Sequence, residues 1–271
     1  MTLDEYQVVV NGLGQLQASF DRYTQGVRLK FPAMHRAYFQ ETKIEYSDEE
    51  RFLCEHYLYA LLHKFHMAGL ALEQLWALSY ETRASLWLAV EQSLHKLDLN
   101  DDDLALTSFV FDTFLFHARA YLDFFMLYVI HVLKLGQKGS MSKGKFFKRL
   151  KQQPNHELYD KSSVVSQYFT SEVFGEHTSN GLTQNNWGTL LTELRNKVAH
   201  RDILRPSFES QEKLLNEVLF NWPTIQETTL ERFSQQMQNG MFCLITDVGE
   251  VLLDREWIAG PYKPGMFGEK L

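Results

Sequence analysis

Residues 108–135 form the longest apolar run of the chain, and Phe109, Phe111, Phe114, Phe116, Phe124, Phe125 and Tyr128 are packed into it. A run of this length must be hidden from water, in a bilayer or under other parts of the protein. Asp112, His117, Arg119, Asp123 and His131 interrupt it. A mid-bilayer Asp or Arg costs about 2.5–3.5 kcal/mol, so a membrane span is disfavoured. The run reads as the central helix of a soluble bundle, apolar nearly all round because neighbours cover it on several sides.

The rest of the chain supports an all-α reading. Ser47-Asp48-Glu49-Glu50 is a Ser-x-x-Glu capping box before an apolar run, which starts a helix reaching about His66. Met67-Ala68-Gly69 reads as an interruption, followed by helices over 71–79 and 82–97. Residues 97–107, with Asn100 and Asp101-Asp102-Asp103, read as a polar connection and the N-cap region of the central helix. After a loop from Gly136 to Gly144, short helices are expected over 145–152 and 157–170. A polar loop follows at 175–181, then a helix from about Asn186, and two more over 207–221 and 224–238. The pattern changes at Asn239-Gly240. Phe242–Ile245 and Val251–Leu253 flank Asp247-Val248-Gly249 as short β-prone runs and suggest a small hairpin. Residues 1–46 have mixed periodicity, broken by Gly12, Gly14 and Pro32. The expected organisation is an N-terminal helical extension (1–104), a helical bundle (105–240), and a hairpin with an irregular tail (241–271).

Charge and cysteine usage bound the function. The net charge of −7 argues against a generally nucleic-acid-coating surface. The distribution is uneven: Lys134, Lys138, Lys143, Lys145, Lys148, Arg149 and Lys151 occur with no acid between them. That stretch is either a solvated face or a phosphate-attracting rim. Cys54 and Cys243 are the only cysteines and read as reduced thiols of a cytoplasmic protein. The opening Met1-Thr2-Leu3-Asp4-Glu5 carries no secretory signal pattern. His63 and His66 are neighbours on a helix, but no acid-rich or cysteine-rich partner at ligand spacing accompanies them. No metal and no cofactor are expected. Nucleophile-elbow, P-loop, Cys-x-x-Cys and His-Glu-x-x-His patterns do not occur.

One helix end gathers the chemistry. Trp187, Leu191, Leu194 and Val198 define a buried face by helical spacing. Arg195 lies at its edge, while Asn196 and His200 point away, and Pro206 limits the helix. Arg-x4-His alone says little, since Arg51/His56 match it too. The longer string, Trp-x3-Leu-x2-Leu followed by Arg195-Asn196-x-x-Ala199-His200, resembles the HEPN superfamily (higher eukaryotes and prokaryotes nucleotide-binding domain) over residues 105–240.

Many members of that superfamily are metal-independent ribonucleases, often toxins or antiviral effectors. The resemblance implies an endoribonuclease (a hydrolase-class nuclease) in a toxin–antitoxin or phage-defence setting. In it, His200 is the acid–base group and Arg195 the phosphate clamp, with Asn196 supporting them. The superfamily often supports the pair from an earlier helix, which points to Asp123 or Arg119; an Arg119–Asp123 pair across one turn is the alternative. Lys143, Lys145, Lys148 and Arg149 would line the RNA path. Arg195 and His200 stand about 140° apart on a straight helix, so a homodimer that joins two motifs is expected, with RNA as substrate and an antitoxin or regulatory protein as a further partner. The rival reading is a non-catalytic scaffold of the same fold that binds RNA, nucleotide or protein.

Overall fold

The computed structural model describes residues 24–91, 101–136, 141–152, 158–179, 182–200, 210–213, 217–220, 224–225 and 228–256. These are predominantly helical. The helices are α1 (24–41), α2 (Asp48–Glu91), α3 (Asp101–Val132), α4 (Lys143–Lys151), α5 (Tyr159–Tyr168), α6 (Trp187–His200), α7 (Leu230–Cys243) and α8 (Gly249–Leu253). Two π-helical turns, Phe169–Val173 and Leu244–Val248, extend α5 and join α7 to α8. The extended segments described are three short antiparallel ribbons. They pair β1 (Glu176–Ser179) with β2 (Leu182–Asn185), β3 (Ser210–Lys213) with β4 (Glu217–Phe220), and β5 (Thr224–Ile225) with β6 (Thr228–Thr229).

The chain divides into two compact units, each assembled from three stretches. One holds residues 1–24, 65–119 and 191–238; the other holds 25–64, 120–190 and 239–271. Helices α2, α3 and α6 each contribute residues to both units.

The start of α2 follows the expected chemistry. Glu50 N–H donates to Ser47 Oγ at 3.2 Å, and Ser47 N–H donates to Glu50 Oε2 at 2.8 Å, so the box closes in both directions. Its length was not expected. The interruption expected at Met67-Ala68-Gly69, the helix expected over 71–79 and the described part of the one expected over 82–97 belong to one continuous helix that runs to Glu91. Cys54, Leu58, Leu61, Phe65, Ala68, Leu72 and Leu75 are all buried and recur at alternating four- and three-residue steps. That seam passes through Ala68 and Gly69 without a break, and burial overrides the weak helix propensity of glycine. Helix α1 likewise runs through Pro32.

Helix α3 begins at the three aspartates, whose charge suits a helix N-terminus. Its apolar run behaves as a covered core helix. In the first unit Phe111 and Phe114 meet Phe233 at ring-centroid distances of 5.6 and 6.0 Å. In the second, Tyr121, Leu122 and all of 125–130 are buried. There Phe125 packs on Tyr128 and Phe169, and Phe146 lies 4.6 Å from Phe169. The segment Ala105–Val132 is long and apolar enough to cross a membrane, and most of that window is buried within the protein.

Four expectations fail in the second half of the chain. The hairpin over 242–253 is helical: α7, a π-helical turn and α8 follow one another. Both glycines read as turn signals are packing gaps in the second unit. A Cβ on Gly240 would collide with the Trp187 ring, and one on Gly249 would come within 2.7 Å of Phe31 Cε2. The helix expected over 207–221 is replaced by the β3–β4 ribbon in its described part. The helix expected from 224 starts only at Leu230, after the β5–β6 ribbon. Within the loop expected over 175–181, Glu176–Ser179 form the first arm of the β1–β2 ribbon. The irregular tail beyond Trp257 lies outside the described residues.

Candidate functional site

Helix α6 is anchored at its first turn within the second unit. Trp187 is buried in the notch left by Gly240, and Gly188 lies so close to Val173 that no Cβ fits. Asn186 N–H donates to Gly175 O at 2.9 Å, and Thr189 Oγ donates to Phe174 O at 2.9 Å. At the π-helical end of α5, the Phe174 carbonyl thus accepts from the Thr189 side chain and the Ser171 carbonyl from the Asn186 side chain, which ties the start of α6 to it.

Further along, in the first unit, Leu191 and Leu194 are fully buried. Val198 and Arg195 are half-buried, and Asn196 and Lys197 are exposed. This is the sidedness expected from helical spacing: the apolar stripe docks the helix and the polar residues stand clear of it. Helix α6 runs to His200; the His200 side chain lies outside the described residues, as do residues 201–209 with Pro206.

One contact between α6 and α3 is polar. Arg119 Nη1 donates to Thr192 Oγ1 at 2.7 Å. Thr192 precedes Arg195 by three residues and Asn196 by four, so all three share one side of α6. A second guanidinium thus reaches the face that carries the motif. From the sequence, Arg119 reads either as a support for the Arg195/His200 helix or as a partner for Asp123 across one turn. The available signal was faint: Asp112, Arg119 and Asp123 fall within about 40° of one another at 100° per residue, a polar strip on a helix otherwise apolar. Burial holds the Asp112 carboxyl above the usual carboxylate range. Asp123 is half-buried one turn beyond Arg119 and belongs to the second unit.

The basic stretch lies in the second unit. Helix α4 is capped by Ser142, whose side chain accepts from Lys145 N–H, and it buries Phe146 and Leu150. Lys143, Lys145 and Lys148 are exposed and Arg149 is half-buried. Lys143 Nζ sits 4.5 Å from the centre of the Phe174 ring. Lys134 plays a different part. It has a left-handed backbone, its Nζ donates to Glu45 O, and it lies 3.4 Å from Glu50 Oε2, so it ties the end of α3 to the start of α2.

Both cysteines are free thiols. Burial raises Cys54 to about 12 and Cys243 to about 11, so neither is poised as a thiolate nucleophile. Among the described residues no group of three or more His, Cys, Asp and Glu side chains is placed to hold a metal ion. Among the described residues, His63 and His66 therefore gain no third ligand. Compared with known proteins, the chain matches no family, no curated protein and no solved structure.

Proposed function

We propose that the protein is a metal-independent endoribonuclease whose reaction centre is built on α6, in keeping with the resemblance of its Arg195-to-His200 segment to the HEPN superfamily. The observation that carries this reading is the Arg119–Thr192 hydrogen bond. It brings a second guanidinium to the turn of α6 that precedes Arg195 and the exposed Asn196. Guanidinium groups stay charged and fork onto phosphate oxygens, which suits a site that must bind a phosphodiester.

The chemistry needs little else. The ribose 2′-OH loses its proton and attacks the adjacent phosphorus, and the P–O5′ bond breaks. The products are a 2′,3′-cyclic phosphate and a 5′-hydroxyl, which takes up a proton. Histidine has an unperturbed pKa of about 6.5 and suits either transfer; His200 is the group assigned to it. Arg195 balances the phosphate charge, and Asn196 holds the phosphate or the imidazole. Lys143, Lys145, Lys148 and Arg149 offer a separate basic surface for the RNA backbone. A homodimer would bring two motifs into one cleft, and a toxin or phage-defence role would add an inhibitory partner protein.

Incubation with total RNA in excess chelator tests this reading. The wild type should cleave and leave cyclic-phosphate ends. His200→Ala and Arg195→Ala should each lose about 10²–10⁴ in rate with unchanged circular dichroism. Strict dependence on added magnesium, 5′-phosphate products, or full activity in either variant would exclude the assignment.

A further inference from the structure

Helix α2 carries a second seam, on the side opposite the buried one, and this one faces solvent. Phe52, His56, Tyr59 and His63 follow each other at steps of four, three and four residues. At 100° per residue they fall within about 60° of arc, and they span about 16 Å of helix. Phe52 is 65 % exposed and Tyr59 60 %; His56 and His63 are exposed as well. The Phe52 and His56 rings stack at 6.2 Å with an interplanar angle of 21°. Solvent-facing helix positions usually carry Lys, Glu or Gln. A ridge of rings at this spacing is instead the pattern of a helix-pairing seam.

The flanks of the seam say what it accepts. Measured from Phe52, Glu49 stands about 60° to one side, and Glu55 about 60° and Asp48 about 40° to the other; all three are exposed. These are the positions from which charges reach across to a paired helix and select it. The nearest cation on this part of the helix, Arg51, is turned away: its guanidinium donates to Tyr46 O and Phe39 O, each at 3.4 Å, and lies 5.9 Å from the centre of the Phe39 ring. A second copy of α2 would bring acidic flanks and no basic ones, which sets like charges together.

We propose that this face of α2 is a docking site for a basic amphipathic helix of another protein, with apolar residues at three- and four-residue steps and Lys or Arg on both flanks. The proposal does not depend on ribonuclease activity.

The test uses the full chain and two synthetic three-heptad helical peptides with leucine seams, one flanked by lysine and one by glutamate. Fluorescence anisotropy should show the lysine peptide binding at least about tenfold more tightly than the glutamate peptide, with affinity falling as salt rises. A Phe52→Asp/Tyr59→Asp variant and a Glu49→Lys/Glu55→Lys variant, each checked by circular dichroism, should each weaken the lysine peptide by about tenfold or more. The charge variant leaves the apolar ridge intact, so it reads the flanks even where the first variant fails to fold. No binding of the lysine peptide, equal affinity for both peptides, or binding undiminished in the charge variant would overturn the proposal. So would a dimer in sedimentation that the Phe52→Asp/Tyr59→Asp variant dissolves, which would assign the face to a second copy.

Discussion

His35 shows how one buried side chain sets a pH limit on the fold. It is almost fully buried in the second unit, and its Nδ1 lies 3.0 Å from Tyr128 Oη. Burial, aided by the Arg36 charge, lowers its pKa from 6.5 to about 4. The folded state thus holds a neutral imidazole where the unfolded chain would take up a proton. The stability it supports is complete above pH 6.5 and is lost as pH falls toward 4. A depression of that size corresponds to at most about 3 kcal/mol. His35→Gln, which cannot titrate, should flatten the acid limb of the melting temperature against pH between 6.5 and 4; an unchanged limb would show that another group governs it. Arg119 makes a related point about reading residues singly. Its i,i+4 relation to Asp123 was visible in the chain, but its hydrogen bond to Thr192 spans 73 positions of sequence.

At the scale of elements, the two ends of the α6 anchor depend on what is missing. Trp187 occupies the space where Gly240 has no side chain, and Gly188 allows the same close approach to Val173. A methyl group at 240 must move a buried indole or the α7 backbone. Overpacking of this kind costs about 1–3 kcal/mol. Gly240→Ala should therefore lower stability by that amount in denaturant titration, although alanine is the better helix former by about 1 kcal/mol. A stabilised variant would mean that the Trp187 notch is not tight. The capping box and the short basic helix α4 needed no tertiary information, because their hydrogen bonds close within a few residues. The β1–β2 ribbon had a local signal as well: Asn180-Gly181 is the dipeptide that tight hairpins favour, and its polar neighbours hid it.

At the scale of the whole molecule, the dimer we propose would use an exposed apolar strip of α3. Leu106, Phe109 and Phe116 are exposed in the first unit, Phe109 by 66 % and Phe116 by 56 %. They recur at steps of three and seven residues, on the helix whose Arg119 reaches α6. A two-fold contact there would be isologous and should bury more than about 1,000 Å². Sedimentation at micromolar concentration should report a dimer, and Phe109→Glu/Phe116→Glu should shift it to monomer. A wild-type monomer that cleaves RNA would rule out a shared cleft.

Sequence alone determined the features whose cause is local or compositional. The apolar run of 108–135 required a covered helix, Ser47 and Glu50 specified the start of α2, and helical spacing assigned the buried and exposed sides of α6. Tertiary structure decided the features whose cause lies far along the chain. Gly69, Gly240 and Gly249 read as breaks by propensity, yet all three sit in helices. For Gly240 and Gly249 the reason is visible, since Trp187 and Phe31 fill the space a side chain would need. The 4-3 seam of α2 was present in the letters from Cys54 to Leu75, but Ala68 carries too little apolar surface to mark it. Its burial became apparent only when the residues covering it were in place. The fates of Arg119 and Lys134 follow the same rule: a long cationic side chain chooses its partner by distance in space, which the order of residues does not encode.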